Sequence, residues 1–288
     1  MKLVVEKEDL LLNYLYTHLD MSKKTIKQYL THGSIYVNNN KTTKYNYKLV
    51  PGMNIVIDTN NKNKKTLPFD ILFEDDHIIV VNKPSGLLTI ATEKEKENTL
   101  YHIVREYLIN KNKNNKIFVV HRLDKDTSGI VILAKDEKTK NKLQENWNDY
   151  VVLREYVAVA EGILPKKSDR IVEYLKETKT NLVYTTKNKE GKEAITNYRV
   201  IKENNNYSLI EIKIETGRKN QIRVALANLN HPIVGDKKYG NKKAKENRLY
   251  LHANRLKIYY PEIKKEILFE TNTPTEFKKK MSEGDKNA

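Results

Sequence analysis

Short apolar runs separated by polar turns predict a small module of helices and strands at the start of the chain. Residues 9–19 place several leucines on one side of a helix. Ser22 is suited to cap a second helix, which Gly33 is suited to end. The apolar side of that second helix carries Ile26, Tyr29 and Leu30. Apolar strands are expected at 34–38 and 55–57, so the module has a compact core.

The rest of the chain alternates apolar strands with polar turns after a segment, 59–68, whose composition is typical of a linker. Helices are expected at 99–109, at 137–148 and from Asn220. Strands are expected at 78–81, 117–120, 130–134, 156–160, 209–214 and 249–251. This mixed pattern predicts an α+β domain with a largely antiparallel central sheet and flanking helices. We expect the Lys-rich end of the chain, from 278, to fray.

Charge and residue content narrow the possible functions. The 288 residues carry a net charge of +16, which favours a polyanionic partner such as nucleic acid. A general abundance of Lys and Asn is the alternative explanation of that charge. The absence of cysteine excludes disulfides, thiol nucleophiles and thiolate metal sites. The seven histidines never lie three or four positions apart, so no helical metal-binding pair exists, and we expect no metal.

Nothing in the sequence predicts a membrane protein. No apolar run approaches the roughly 18 residues that span a bilayer. The N-terminus soon becomes acidic and lacks the apolar core of a signal peptide. We therefore expect a cytoplasmic protein, and a monomer by default.

The polar loop His121–Gly129 lies between two apolar runs and is the first candidate for chemistry. A carboxylate nucleophile has to stay ionised, and Arg122, two residues before Asp124, would favour the charged form. Gly129 allows a sharp turn into the next strand. Alternatively, Asp124 and Asp126 only shape a turn. The spacing leaves both interpretations open.

Two further segments carry candidate residues. A strand, a glycine turn and a helix start over 215–223 place backbone N–H groups and two arginines at the mouth of a cleft. Arg218 and Arg223 are five positions apart and more suited to separate tasks: a phosphate contact for one, and an ion pair with a carboxylate for the other. Alternatively, both arginines are only solvated, which is less expected of Arg223 because it lies between Ile222 and Val224. Tyr156 belongs to the core unless its strand face meets Asp124, where its ring would stack on a base.

Taken together, these segments resemble the RluA-type pseudouridine synthase family over roughly residues 69–275. Five blocks that carry the resemblance occur in the family's order: Ile71 to Ile78 through Val81-Asn82-Lys83-Pro84-Ser85-Gly86-Leu87; His121 to Gly129; Arg154-Glu155-Tyr156; Thr216-Gly217-Arg218 to Gln221-Ile222-Arg223; and His231-Pro232-Ile233-Val234-Gly235-Asp236 with Tyr239-Gly240 and Leu251-His252-Ala253. The chain departs from the usual Gly-Arg-Thr-His-Gln-Ile-Arg-Val-His at Lys219, Asn220 and Ala225, and has Arg154 where lysine is usual. These departures leave the substrate contacts around that helix start open.

The N-terminal module resembles the S-four-like RNA-binding domain. The resemblance is carried by the helix after Ser22, by Ile35-Tyr36-Val37-Asn38 and by Pro51-Gly52. It implies RNA binding through the basic residues of that helix, Lys23, Lys24 and Lys27; the alternative is that these lysines are only solvated. The domain organisation expected is an RNA-binding domain at 1–58, the linker at 59–68, a catalytic domain at 69–275 and a basic tail at 276–288.

The family resemblance implies a role for each candidate residue. Asp124 matches the essential catalytic aspartate, Tyr156 the tyrosine that stacks on the target uracil, and Arg223 the arginine that pairs with the carboxylate. Arg122 matches a residue that occupies the space left by the flipped nucleotide, and Arg218 lies among the expected RNA contacts. The implied reaction is an isomerisation that neither oxidises nor reduces the uridine, so no redox cofactor is expected.

The expected function is pseudouridine formation in RNA, with 23S ribosomal RNA as the first choice of substrate. Transfer RNA is the alternative substrate, and a non-catalytic RNA-binding protein of the same fold is the alternative function. A third possibility is a hydrolase that uses Asp124 and Asp126 as acid and base across a glycosidic bond.

Overall fold

The computed structural model describes residues 1–31, 33–58, 67–187, 190–243 and 245–284. Contacts divide the chain into two units, Met1–Thr66 and Leu67–Ala288. The predicted linker at 59–68 lies outside the described residues except for its last two positions. Among the described helices, none is long and apolar enough to cross a membrane.

The N-terminal unit packs helices against a small antiparallel sheet. Its elements are β1 (Lys2–Val4), β2 (Asp9–Leu10), α1 (Leu11–His18), α2 (Lys23–Thr31), β3 (Ile35–Val37), β4 (Asn40–Thr42), β5 (Lys48–Leu49) and β6 (Asn54–Ile57). The sheet order is β1-β6-β3-β4, and β2 pairs with β5. Ser22 Oγ accepts the N–H of Thr25 at 3.1 Å, which confirms it as the cap of α2. Gly33 follows the helix with a φ of 64°, a conformation that glycine adopts at little cost.

The C-terminal unit is built around one large sheet. Its strands are β7 (Ile71–Glu74), β8 (Ile78–Lys83), β9 (Phe118–Val119), β10 (Ser128–Ala134), β11 (Val151–Glu161), β12 (Ser168–Glu177), β13 (Val183–Thr185), β14 (Lys192–Glu203), β15 (Tyr207–Ile214), β16 (Leu251–Tyr260) and β17 (Lys265–Glu270). Its helices are α3 (Leu100–Lys111), α4 (Glu137–Glu145), α5 (Trp147–Tyr150), α6 (Gln221–Asn228) and α7 (Thr275–Gly284).

The sheet runs in the order β13-β12-β14-β15-β11-β16-β10-β8-β7, with β17 added to β16 and β9 added to β10. Its strands pair antiparallel along this path, except that β10 and β16 pair in parallel through Ser128–His252 and Gly129–Ala253. The predicted α+β fold with a largely antiparallel sheet and flanking helices is therefore confirmed. The parallel pair matters for the site, because β10 begins where the loop 121–129 ends.

Helices cover both faces of this sheet. Alternate residues of a strand point to opposite faces, and on β11 Ala158 and Ala160 pack in a cluster with α6, while Val157 and Val159 pack in a cluster with α7. The helices α3 and α4 likewise pack in separate clusters with alternate residues of β8 and β10. The expected fraying from 278 was wrong as far as 284, because α7 buries Phe277 and Met281 in the core.

Candidate active site

A cleft of about 570 Å³ lies where the loop after β9, the strand β11 and the start of α6 meet. Among its lining residues are the sequence-predicted Arg122, Asp124, Tyr156, Arg218 and Arg223. These five come from segments that are far apart in the sequence, so the fold brings them together. Asp126 does not line this cleft and is exposed, which leaves the alternative hydrolase hypothesis without its second carboxylate.

A close backbone approach fixes the end of the loop that carries Asp124. Gly129 has a φ of 120°, and a Cβ atom built on it would lie 2.2 Å from the carbonyl oxygen of Ala253. Any other residue would push β10 away from β16. The glycine therefore serves the parallel pairing as well as the turn.

Lys83 supports the same loop from inside the protein. Its fully buried ammonium donates hydrogen bonds to the carbonyl oxygens of Pro84, Leu87 and Lys125 at 2.9, 2.8 and 3.1 Å. Burial lowers the pKa of Lys83 to about 7, although the nearby carboxylates oppose this shift. Because its Nζ is directed at three backbone carbonyl oxygens, Lys83 supports the loop and does not line the cleft.

The contacts of Asp124 come from α6. Asn220 Nδ2 donates to Asp124 Oδ2 at 2.5 Å, and Arg223 Nη1 lies 3.9 Å from the same oxygen. The expectation that Arg122 would hold this carboxylate was wrong: within the ranges described, no ion pair joins the two side chains, and that of Arg122 is exposed. Neighbours in a loop need not direct their side chains at each other, so the donors come from another element.

Arg223 has a closer partner than the predicted one. Its Nε and Nη2 donate to Oδ2 and Oδ1 of Asp236 at 2.8 and 2.7 Å, a two-pronged pair in which both side chains are buried. Burial alone would lower the pKa of Arg223, but the hydrogen bonds and charge of Asp236 outweigh it and raise this pKa. Burial alone would raise the pKa of Asp236, and the hydrogen bonds and charge of Arg223 lower it below its usual range. Both groups are therefore charged at neutral pH.

Tyr156 occupies the wall of the cleft and not the middle of the core. It is partly buried and packs against two clusters, one containing Leu123 and the other Ile222. Burial raises the pKa of Tyr156 to about 12, with Arg154 opposing and Asp124 assisting. The phenol is therefore neutral, and its strand face meets Asp124 as the stacking hypothesis required.

Other polar residues of the cleft are held by the backbone. Arg218 Nε donates to the carbonyl oxygen of Glu193 at 2.8 Å, and Arg154 Nη2 donates to that of Glu215 at 2.7 Å. His121 accepts the N–H of Ile132 on Nε2 at 3.0 Å. Burial, with the charge of Arg154, lowers the pKa of His121 to about 3, so this ring is neutral. Among the described residues, no group of three histidines or carboxylates is placed to hold a metal ion.

The lysines predicted to bind RNA lie together in the N-terminal unit. Lys23, Lys24 and Lys27 are exposed on α2 and, with Gln28 and Thr31, line a shallow cleft of about 460 Å³. The apolar side of α2 is buried in the core of the unit. The helix therefore presents its cationic side to solvent, as the amphipathic pattern predicted.

Sequence reasoning missed the roles of Asn220, Asp236, Lys238 and Tyr239. Each stands in or beside a block that the sequence singled out, but neither spacing nor residue type indicated its partner. The hydrogen bond from Asn220 to Asp124 joins residues 96 positions apart. Only the fold shows such a contact.

Comparison with known proteins places the chain among RNA-modifying enzymes. Residues 77–228 match the family described as RNA pseudouridylate synthase. An uncharacterized RNA pseudouridine synthase of Bacillus subtilis (strain 168), YhcT, is 32% identical over 285 residues, which cover 96% of this chain and 94% of that protein. Ribosomal large subunit pseudouridine synthase D of Yersinia pestis is 31% identical over 261 residues, 84% of this chain and 80% of that protein. Ribosomal large subunit pseudouridine synthase C of Buchnera aphidicola is 34% identical, covering 80% and 79%.

Solved structures show the same fold. Human RNA pseudouridylate synthase domain containing 4 superposes with a TM-score of 0.61 at 23% identity, covering 72% of this chain and 89% of that one. Human RNA pseudouridylate synthase domain containing 1 gives the same score at 22% identity. The family match over more than half of the sequence and the relatives above 30% identity agree with the blocks around Asp124. The chain belongs to the RNA pseudouridine synthase family, in its RluA-type group.

Proposed function

We propose that this protein isomerises specific uridines of 23S ribosomal RNA to pseudouridine, with Asp124 as the catalytic carboxylate. The observation that carries the proposal is the setting of Asp124, where Asn220 and Arg223 approach one carboxylate oxygen and Tyr156 lines the same cleft. These two groups hold the carboxylate of Asp124 in a fixed position at the cleft. The carboxylate form of Asp124 is the one that reacts, whether it adds to the sugar or initiates the loss of a proton from that sugar.

The cleft suits a reaction in which the base never leaves the enzyme. Pseudouridine formation breaks the C–N glycosidic bond, rotates the uracil and joins its C5 to C1′ of the same ribose, so the detached base has to be retained. A volume of about 570 Å³ lies within the usual range for small-molecule sites. The neutral ring of Tyr156 would stack on the uracil, and Arg223 would stabilise the charge of Asp124.

The target nucleotide has to leave its stack to reach Asp124. Flipping a base costs a few kcal/mol. Arg122, exposed at the cleft, would occupy the space that the nucleotide leaves, and Arg218 would contact a phosphate. Phosphate contacts spread over a protein of net charge +16 would offset the cost.

The N-terminal unit would supply part of that RNA affinity. We assign residues 1–58 to an S-four-like RNA-binding domain, with Lys23, Lys24 and Lys27 as phosphate contacts, and residues 69–275 to the catalytic domain. The burial of α7 argues for extending the catalytic domain through 284 at the expense of the predicted basic tail. We propose that the protein acts as a monomer.

Ribosomal RNA is the proposed substrate because two relatives are named for the large ribosomal subunit. The test is to map pseudouridines in ribosomal and transfer RNA of cells that lack this protein, and of the same cells supplied with the wild type or with Asp124→Asn. We expect sites in 23S ribosomal RNA to disappear and to return with the wild type only. Loss confined to transfer RNA would contradict the substrate, restoration by Asp124→Asn would contradict the catalytic role, and an unchanged map would favour the non-catalytic alternative.

A further inference from the structure

Asn220 has an unusual setting for the first residue before a helix. It precedes α6 with φ 52° and ψ 19°, a left-handed conformation that few residues other than glycine adopt, asparagine among them. Asparagine at this position normally caps the helix with its side chain, but here no such hydrogen bond is made. The residue is buried, so its amide is directed to partners other than the helix or solvent.

The orientation of the Asn220 amide follows from its partners. Oδ1 accepts from Lys238 Nζ at 3.1 Å and from Tyr239 OH at 3.0 Å. A lysine ammonium has no acceptor, so it has to face the amide oxygen. The hydroxyl of Tyr239 accepts the N–H of Val183 at 3.0 Å, which leaves its own proton for the same oxygen. The nitrogen of the amide is therefore the atom that faces Asp124.

This arrangement treats the two oxygens of Asp124 differently. Oδ2 receives Asn220 Nδ2 at 2.5 Å and lies 3.9 Å from Arg223 Nη1. Oδ1 accepts no hydrogen bond from any part of the chain that the structure describes. Binding one oxygen selects a rotamer of the carboxylate and leaves the other oxygen available to the nucleotide.

We propose that Asn220 is a positioning residue that fixes Asp124 in its reactive rotamer by binding Oδ2 and leaving Oδ1 to react. The inference rests on the proposed catalytic role of Asp124. Lys238 and Tyr239 orient the amide, so a chain of hydrogen bonds runs from the strand β13 to the carboxylate. Asn220 stands where the family usually has histidine, a residue that also tolerates a left-handed backbone and carries an N–H donor.

Two substitutions separate the amide from the backbone conformation. Asn220→Asp keeps the shape, the tolerance of the left-handed backbone and an acceptor for Lys238 and Tyr239, but replaces the donor facing Asp124 by a negative oxygen. Asn220→Gly keeps the backbone conformation and removes the side chain. The matched control is Asn230→Asp, since Asn230 also has a positive φ, 65°, and is exposed after the other end of α6.

The measurement is single-turnover tritium release from a mixture of ribosomal and transfer RNA transcripts labelled at uridine C5, with RNA affinity measured beside it. We expect rates reduced about tenfold in Asn220→Gly and about a hundredfold in Asn220→Asp, with RNA dissociation constants within about twofold of wild type and Asn230→Asp unchanged. Asn220→His should keep most of the wild-type rate.

The possible results separate the positioning role of Asn220 from the proposed catalytic role of Asp124. A wild-type rate in Asn220→Asp, with Asp124→Asn inactive, would overturn the positioning role and leave the proposed function intact. A loss explained wholly by weaker RNA binding would also overturn it, because Asn220 would then contact RNA. A wild-type rate in Asp124→Asn would contradict the proposed function itself. If Asn220→Asp does not fold, as shown by its melting curve, Asn220→Gly decides by the same criteria.

Discussion

Asp236 binds the guanidinium of Arg223 through two hydrogen bonds of 2.7 and 2.8 Å, and only Nη1 remains on the side of Asp124, 3.9 Å from its carboxylate. The main partner of Arg223 is therefore Asp236, in a buried ion pair, and its contact with Asp124 in the cleft is the weaker one. Asp236 also accepts the N–H groups of Lys238 and Tyr239 at 2.9 Å each, so the loop after α6 is fixed to the same pair. The cation that faces Asp124 is held in place by a residue that does not line the cleft.

Asp236→Asn should therefore cost both stability and activity. Removing one partner leaves the buried guanidinium without its counter-charge, and we expect the free energy of unfolding to fall by about 3 kcal/mol. Urea denaturation measures this change. Glu266→Gln is the control, because its pair with Lys257 is largely exposed and should be worth less than about 1 kcal/mol. Equal effects of the two substitutions would show that burial of the Arg223 pair has no consequence.

Gly129→Ala should destabilise the fold more than a glycine substitution at an open position. The added Cβ would lie 2.2 Å from the carbonyl oxygen of Ala253, so the parallel pairing of β10 and β16 has to give way, at an expected cost of about 3 kcal/mol or more. Gly86→Ala is the matched control: its φ is also positive, 83°, but no atom lies within 4 Å of the new Cβ, and only about 1 kcal/mol of backbone strain is expected. Thermal melting compares the two, and equal losses would contradict the steric argument.

Stability should fall below pH 6.5 partly because of His121. Its pKa is lowered to about 3 in the folded protein, so between pH 6.5 and 3 the unfolded chain binds a proton that the folded protein excludes. Stability is then present above pH 6.5 and declines as the pH falls. His121→Gln keeps an acceptor for the N–H of Ile132 but cannot be protonated, so its melting temperature should drop less between pH 7 and pH 5. His252, whose pKa is lowered to about 4, adds a similar slope to both proteins. An identical drop in wild type and variant would contradict this account.

Replacing Lys23, Lys24 and Lys27 together by glutamine should weaken RNA binding without slowing the reaction once RNA is saturating. Each phosphate contact to single-stranded RNA contributes about 0.7 to the slope of log affinity against log salt, so the slope should fall by about 2. Salt titrations of RNA binding measure it. Glutamine at Lys2, Lys7 and Lys48 removes the same charge from other parts of the N-terminal unit and should change the slope less. An equal effect of the two triple variants would show that net charge, not the surface of α2, binds the RNA.

The hydrophobic pattern predicted those elements that bury one clear side. The helix α2 and the strands β8, β10 and β15 lie where the apolar spacing placed them. The strands β12 and β14 were not predicted, because charged residues interrupt their apolar ones and blur the alternation; on β14 the buried side is Ala194, Thr196 and Tyr198. The helix α7 was missed because three lysines separate its buried Phe277 and Met281.

The sequence predicted which residues form the candidate site better than it predicted the contacts between them. The blocks singled out Asp124, Tyr156 and Arg223, and the structure brings all three to one cleft. Arg223 was expected beside Asp124 and lies 3.9 Å from it, whereas Arg122, favoured only because it is near in sequence, makes no ion pair with Asp124 among the described residues. The contacts from Asn220 and Asp236 depend on how α6 packs against the loop, and the hydrophobic periodicity of the sequence gives no information about that geometry.

Asp124→Asn compared with Asp126→Asn is the experiment closest to the proposed chemistry, in which the carboxylate of Asp124 carries the isomerisation. Both remove one carboxylate from the same loop, but Asp126 is exposed and does not line the cleft. Single-turnover tritium release from RNA labelled at uridine C5 should be abolished in Asp124→Asn and remain within about threefold of wild type in Asp126→Asn, with RNA binding retained by both. Release at the wild-type rate by Asp124→Asn would contradict the account.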